Sequence, residues 1–115
     1  MVTDDRIKMV TFTGSAENGW AIKNQAGKKK VVLELGGNAA VIIEPDADVS
    51  RAAERCAWGG FYYSGQNCIH VQRIYCHEKV HDAFVKAFVD HVKNLRLGDP
   101  MDPKTQMSVM IDPAN

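Results

Sequence analysis

The chain has 115 residues, the size of one ordinary domain, and such a chain buries roughly two thirds of the surface that its unfolded form would expose. Lys plus Arg number 14 and Asp plus Glu number 14, so no net field draws it to nucleic acid, an anionic membrane or a strongly charged substrate. The longest apolar stretches, Val31 to Leu33 and Ala39 to Ile43, fall far short of the roughly 20 residues that cross a bilayer. No secretory signal opens the chain, and the expectation is a cytoplasmic protein.

In chain order, Lys8 to Thr13 mixes β-branched, aromatic and apolar residues ahead of Gly14-Ser15 and predicts a strand. Ser15 is a favourable N-cap, Glu17 suits the positive end of a helix dipole, and Trp20, Ile22 and Ala26 give an apolar side before Gly27 stops the helix. Lys28, Lys29 and Lys30 then read as a solvated, dipole-complementing cluster rather than a phosphate site. Val31 to Leu35 is apolar at consecutive positions, the pattern of a parallel strand covered on both faces, and Gly36-Gly37 ends it.

Ala39 to Ile43 predicts a second such strand. Pro45-Asp46-Ala47-Asp48 is a turn with Asp48 placed to cap a helix in which Val49, Ala52, Ala53, Cys56, Ala57 and Phe61 recur at helical spacing. Tyr63-Ser64-Gly65-Gln66-Asn67 breaks the period and leads into Cys68, after which Val71 to Cys76 has strand character. From Lys79 onward, Val80, Phe84, Ala87, Phe88, Val92 and Leu95 mark one face of an amphipathic helix. Gly98 to Asn115 is turn-rich. Strands alternating with helices predict an α/β fold, a mainly parallel sheet with flanking helices.

Three groups of residues could carry chemistry. Phe12-Thr13-Gly14-Ser15 sets a glycine and a capping serine at a strand-to-helix junction, where free amide hydrogens favour an anion such as a pyrophosphate. There is no complete G-x-G-x-x-G fingerprint, so these four residues alone are weak evidence. Glu34, inside Val-Val-Leu-Glu-Leu, is a carboxylate that is either paired, at the open end of a strand, or buried at a cost of several kcal/mol. The plain alternative is a strand-end glutamate reaching water or a nearby lysine.

Cys68 follows the flexible entry Gly65-Gln66-Asn67, which suits an accessible thiol; the plain alternative is an unreactive loop cysteine. The three cysteines, Cys56, Cys68 and Cys76, are odd in number and fit neither a disulfide framework nor a C-x-x-C pattern, so reduced thiols are expected, with Cys56 in the core. Cys68, His70, Cys76, His77 and His81 could suggest zinc. Their spacing matches no standard ligand pattern, and the intervening strand would send alternate side chains to opposite faces, so no metal is expected.

Taken in order, Phe12-Thr13-Gly14-Ser15 with Gly19, Leu33-Glu34-Leu35-Gly36-Gly37, Asp46-Ala47-Asp48 and Gly65-Gln66-Asn67-Cys68 resemble the aldehyde dehydrogenase superfamily from about Ile7 to Asp112. The resemblance implies an internal segment of an enzyme that oxidises an aldehyde to a carboxylic acid with NAD or NADP. Cys68 would be the nucleophile, its backbone N–H an oxyanion donor, and Glu34 the base that activates water. Gly14, Ser15 and Gly19 would face the cofactor, with Leu35 and Gly36 near the nicotinamide. Residues 1–35 would be the C-terminal part of the dinucleotide-binding domain and 36–115 the N-terminal part of the catalytic domain.

The resemblance also implies that the full-length protein is a homo-oligomer, dimer or tetramer, with a small-molecule aldehyde as its partner. Family members are considerably longer, so the isolated chain is expected to be inactive and to leave sheet edges and apolar faces uncovered. Two other readings stand beside the oxidoreductase: a truncated, catalytically inactive binding or interaction module with a reactive thiol, and a weak thiol esterase.

Overall fold

The structure, a computed structural model, describes residues 1–113. The chain divides into two compact units, Met1–Gly37 and Asn38–Asn115. The first contains β1 (Met9–Thr13), α1 (Ala16–Gln25) and β2 (Lys30–Glu34). β1 and β2 pair in parallel, with Met9 opposite Lys30 and Thr13 opposite Glu34. Parallel neighbours need a crossover between them, and α1 supplies it.

Helix α1 begins where the sequence predicts. Ser15 is extended and its side chain accepts from the Asn18 N–H at 3.4 Å. The helix closes at Ala26, whose N–H bonds to the Ile22 and Lys23 carbonyls, and Gly27 follows at φ 60°, a left-handed position that glycine enters without a Cβ clash. Lys29 is not simply solvated. Its Nζ donates to the Val2 carbonyl at 2.5 Å and ties the chain start to the turn before β2.

Three expectations for this unit need correction. The second strand runs Lys30–Glu34, so Lys30 belongs to the sheet and Leu35 lies beyond it. Nor is it covered on both faces: its burial alternates along the strand, and Val32 is 43% exposed. Trp20, expected on the apolar side of α1, is 53% exposed, with the Lys23 ammonium 5.0 Å from its ring. The reason is arithmetic: a two-stranded sheet with one helix has too few elements to cover both of its faces.

The second unit contains β3 (Ala39–Ile43), α2 (Val49–Phe61), β4 (Val71–Cys76) and α3 (Glu78–Lys93). β3 and β4 are parallel, Ile43 opposite Cys76, with a register irregularity between Ala39 and Ala40. Asp48 caps α2 by accepting from the Arg51 N–H at 3.1 Å, as its position in the turn predicts. The core is Ile43, Ala53, Cys56 and Phe84, with Val80 and Phe88 packed around it. These are the helical-period residues of α2 and α3 meeting the inner end of β3.

Helix α3 starts one residue before Lys79 and is capped by His77, whose Nδ1 accepts from the Lys79 N–H at 3.2 Å. The His77 N–H in turn donates to the Ile43 carbonyl at 2.9 Å, so this histidine links strand to helix. The segment from Arg96 closes on itself: Gln106 N–H donates to the Arg96 carbonyl at 2.9 Å, and Ser108 Oγ to the Gly98 carbonyl at 2.9 Å. The turn-rich reading of this stretch extends to Asn115, and its last two residues lie outside the described residues.

Candidate active site

Within the first unit, the C-terminal ends of β1 and β2 gather most of the residues singled out in the sequence. The Gly14 N–H donates to the Glu34 carbonyl at 3.0 Å, continuing the ladder by one step and holding the Gly14-Ser15 turn beside the end of β2. Glu34 is exposed there, the last residue of its strand. Of paired, strand-end and buried, the strand end is what is observed. Its carboxylate therefore needs no buried counter-charge.

Gly14 and Gly19 are both closely approached by a neighbouring side chain. A Cβ on Gly14 would stand 2.6 Å from the Phe12 ring, and one on Gly19 would stand 2.3 Å from Leu35 Cδ2. Gly19 is buried in the first turns of α1, where the absent side chain lets the helix approach Leu35 closely. Around Gly36, by contrast, a Cβ would meet nothing within 4 Å.

In the second unit, Cys68 sits on a short connection between α2 and β4. Gly59 and Gly60 end α2 close against the start of β4; a Cβ on Gly59 would lie 3.0 Å from Val71 Cγ2. The chain then turns through three left-handed residues, Tyr63 at φ 51°, Ser64 at φ 57° and Gly65 at φ 73°. Left-handed backbone costs an L-residue roughly 1–2 kcal/mol, and only Gly65 escapes that cost.

Cys68 follows in a turn closed by His70 N–H to the Asn67 carbonyl at 3.1 Å. Asn67 Oδ1 accepts from the Ile69 N–H at 3.0 Å and lies 3.8 Å from the Cys68 sulfur, a weak S–H···O contact. The thiol at the crest of this turn is exposed, Cys76 is half-buried, and Cys56 is buried in the core. Burial pushes the Cys56 thiol above its ordinary range, with Cys76 adding to the effect. Of the histidines weighed as ligands, His77 is a helix cap, His70 contacts the Asn67 carbonyl through Nδ1, and His81 meets Asp82 at 3.0 Å.

Ser64 and the segment that meets it carry no local sequence signal of their contact. Ser64 is buried, and its hydroxyl donates to the Ser108 carbonyl at 3.0 Å. Gln66 accepts from the Ile111 N–H at 2.8 Å. Only Gly65 signalled a left-handed turn; nothing in Tyr63 or Ser64 announces one.

The aldehyde dehydrogenase family model matches residues 1–115. The chain belongs to the aldehyde dehydrogenase family. It is 43% identical over 111 residues to a lactaldehyde dehydrogenase of Methanococcus aeolicus, covering 96% of this chain and 24% of that protein. A solved NAD-dependent aldehyde dehydrogenase from Sinorhizobium meliloti superposes with a TM-score of 0.92 at 35% identity, over 98% of this chain and 23% of that one. An NADP-dependent glyceraldehyde-3-phosphate dehydrogenase from Bacillus halodurans C-125, complexed with NADP, gives 0.89 at 35% identity, over 98% of this chain and 24% of that one. The chain thus spans about a quarter of the length of these aldehyde dehydrogenase relatives. The parallel α/β arrangement is that of the corresponding segment of the aldehyde dehydrogenase fold. Among the described residues no helix is long and apolar enough to cross a membrane.

Proposed function

We propose that this chain is the segment of an NAD(P)-dependent aldehyde dehydrogenase that carries the nucleophile, Cys68, and the deacylating base, Glu34. The reading rests on one observation above all: of three cysteines in a chain of this family, Cys68 alone is exposed, at the crest of a turn that follows a strained left-handed run. A nucleophilic thiol needs that access, whereas Cys56 serves packing.

The Cys68 sulfur adds to the aldehyde carbon, forming the C–S bond of a thiohemiacetal whose oxyanion accepts from the Cys68 backbone N–H. When bound, the nicotinamide supplies a hydride acceptor, which raises the thiohemiacetal to a thioester. Glu34 then takes a proton from water as the water oxygen attacks the thioester carbon; the C–S bond breaks, the sulfur leaves as thiolate, and a carboxylic acid departs. The exposure of Glu34 at a strand end suits a base that must meet water.

The first unit fits a dinucleotide. The capped N-terminus of α1 follows β1 through Gly14 and Ser15, an arrangement that favours phosphate, while the open space over Gly36 leaves backbone for a flat ring to approach. Ser15, Gly14 and Gly36 would hold it, with Leu35 beside the nicotinamide; Gly19 would act from behind by letting α1 close on Leu35. On this reading residues 1–35 close a dinucleotide-binding domain and 36–115 open a catalytic one.

Lactaldehyde, from the name of the Methanococcus relative, is the first substrate to assay, with NAD and NADP in turn. In the full-length protein Cys68→Ala should abolish aldehyde oxidation. Glu34→Gln should give a burst of NAD(P)H followed by slow turnover, the mark of an acyl-enzyme that forms but does not hydrolyse. Unchanged steady-state turnover in Glu34→Gln would remove the base from this account.

A further inference from the structure

The left-handed run ahead of Cys68 carries strain that its own residues do not relieve. Tyr63 and Ser64 both hold a conformation that L-residues avoid, and such backbone persists only where its surroundings over-determine it. Two side chains within four residues of Cys68 supply the bonds. Ser64, 9% exposed, donates to the Ser108 carbonyl across 44 positions of sequence. Gln66 uses both ends of its amide: Nε2 donates to the Tyr63 carbonyl at 3.3 Å, and Oε1 accepts from the Ile111 N–H at 2.8 Å. The Tyr63 carbonyl also accepts from the Gln66 N–H at 3.1 Å, so one strained residue is held twice.

We propose that Ser64 and Gln66 are positioning residues that clamp the Cys68 loop to the 108–111 segment and so hold the thiol outward. Neither touches the sulfur. Their effect passes through the backbone: with the clamp closed the left-handed run is held in one shape, and the turn from Asn67 to His70 presents Cys68 at its crest. With the clamp open Tyr63 and Ser64 relax toward ordinary backbone, and the sulfur is presented outward for only a fraction of the time. This inference rests on Cys68 being the nucleophile, and its test separates the two.

The test is alkylation of the whole chain by iodoacetamide, resolved cysteine by cysteine by mass spectrometry across pH 6 to 10, with Cys56 and Cys76 as internal references. Gln66→Leu and Ser64→Ala should each slow Cys68 by about threefold or more without changing Cys56 or Cys76, because an observed rate scales with the population of the competent state. Gln66→Glu, ionised at neutral pH, keeps an acceptor for the Ile111 N–H but loses the donor to the Tyr63 carbonyl, whose bond from the Gln66 backbone N–H remains, and should retain more of the parent rate than Gln66→Leu. The Ile111 amide should exchange with deuterium about tenfold faster in Gln66→Leu and near the parent rate in Gln66→Glu.

Parent-like Cys68 rates in both Gln66→Leu and Ser64→Ala would overturn the clamp. So would a loss in Gln66→Glu as large as in Gln66→Leu, or a parallel rise in Cys56 labelling, which reports general unfolding instead of a local effect. If Cys68 of the parent labels no faster than Cys76, the nucleophile reading fails. The variant-to-parent ratios and the Ile111 exchange still decide the clamp.

Discussion

Gly19 in α1 faces Leu35 so closely that a single added carbon would stand 2.3 Å from Leu35 Cδ2. The leucine side chain fills the space that a side chain on Gly19 would take. A Gly19→Ala substitution gains about 1 kcal/mol of helix propensity and loses about 1–3 kcal/mol to overpacking, so a net loss near 1 kcal/mol is expected. Urea unfolding checks this against Gly36→Ala, where nothing lies within 4 Å and no comparable loss is expected. A more stable Gly19→Ala would mean that Leu35 swings aside freely and that the glycine has no packing role.

In the second unit the structure rests on few buried side chains, and among the described residues Phe84 is the largest of them at 3% exposure. It stacks on Phe88 with ring centroids 5.7 Å apart. Phe84→Ala should cost about 3–5 kcal/mol, enough to unfold a unit of ordinary stability. Loss of helical circular dichroism at room temperature would report it; a variant within 1 kcal/mol of the parent, on the scale of an ordinary point mutation, would show that Phe84 is not central to the core.

The buried thiol of Cys56 gives the second unit an alkaline limit. Its thiol is raised above the ordinary 9.0 by burial, then by Cys76. A group whose value is higher in the folded state contributes stability that is intact below its unfolded value and is lost as pH rises through the folded one. Stability should therefore hold to about pH 9 and decline above it, and Cys56→Ala should flatten that decline while lowering stability at neutral pH. Thermal melts between pH 7 and 11 would reveal a parent and variant with equal alkaline slopes if the thiol stays neutral for another reason.

At the chain start, Asp4 Oδ2 lies 2.6 Å from Arg6 Nη2, and the same carboxylate accepts from the Arg6 N–H at 3.0 Å. These hydrogen bonds, the side-chain one first, bring the Asp4 carboxyl down from 3.8 to about 2. A depressed carboxyl contributes above its unfolded value and loses that contribution as pH falls through the folded one. The contact should thus persist below pH 4 and open only near pH 2. A carboxyl carbon titration by NMR would detect it, and Arg6→Ala should return Asp4 to the ordinary carboxylate range.

Much of the architecture is legible in the sequence. Ala39–Ile43 and the start of α2 at Val49 fall where a run of consecutive apolar residues and the Asp48 cap put them, and Ser15 caps α1, because caps and apolar patterning are local properties that a few neighbouring residues specify. Cys68 and Glu34 stood out for the same reason: each breaks a pattern in its own neighbourhood. Tertiary structure decided the rest. That Gly19 serves Leu35, that Ser64 and Gln66 bond to residues 44 and 45 positions away, and that Tyr63 is held left-handed depend on contacts that no local pattern encodes. The exposure of Trp20 and Val32 likewise turns on which elements are available to cover a face, a quantity set by the assembled chain and not by any stretch within it.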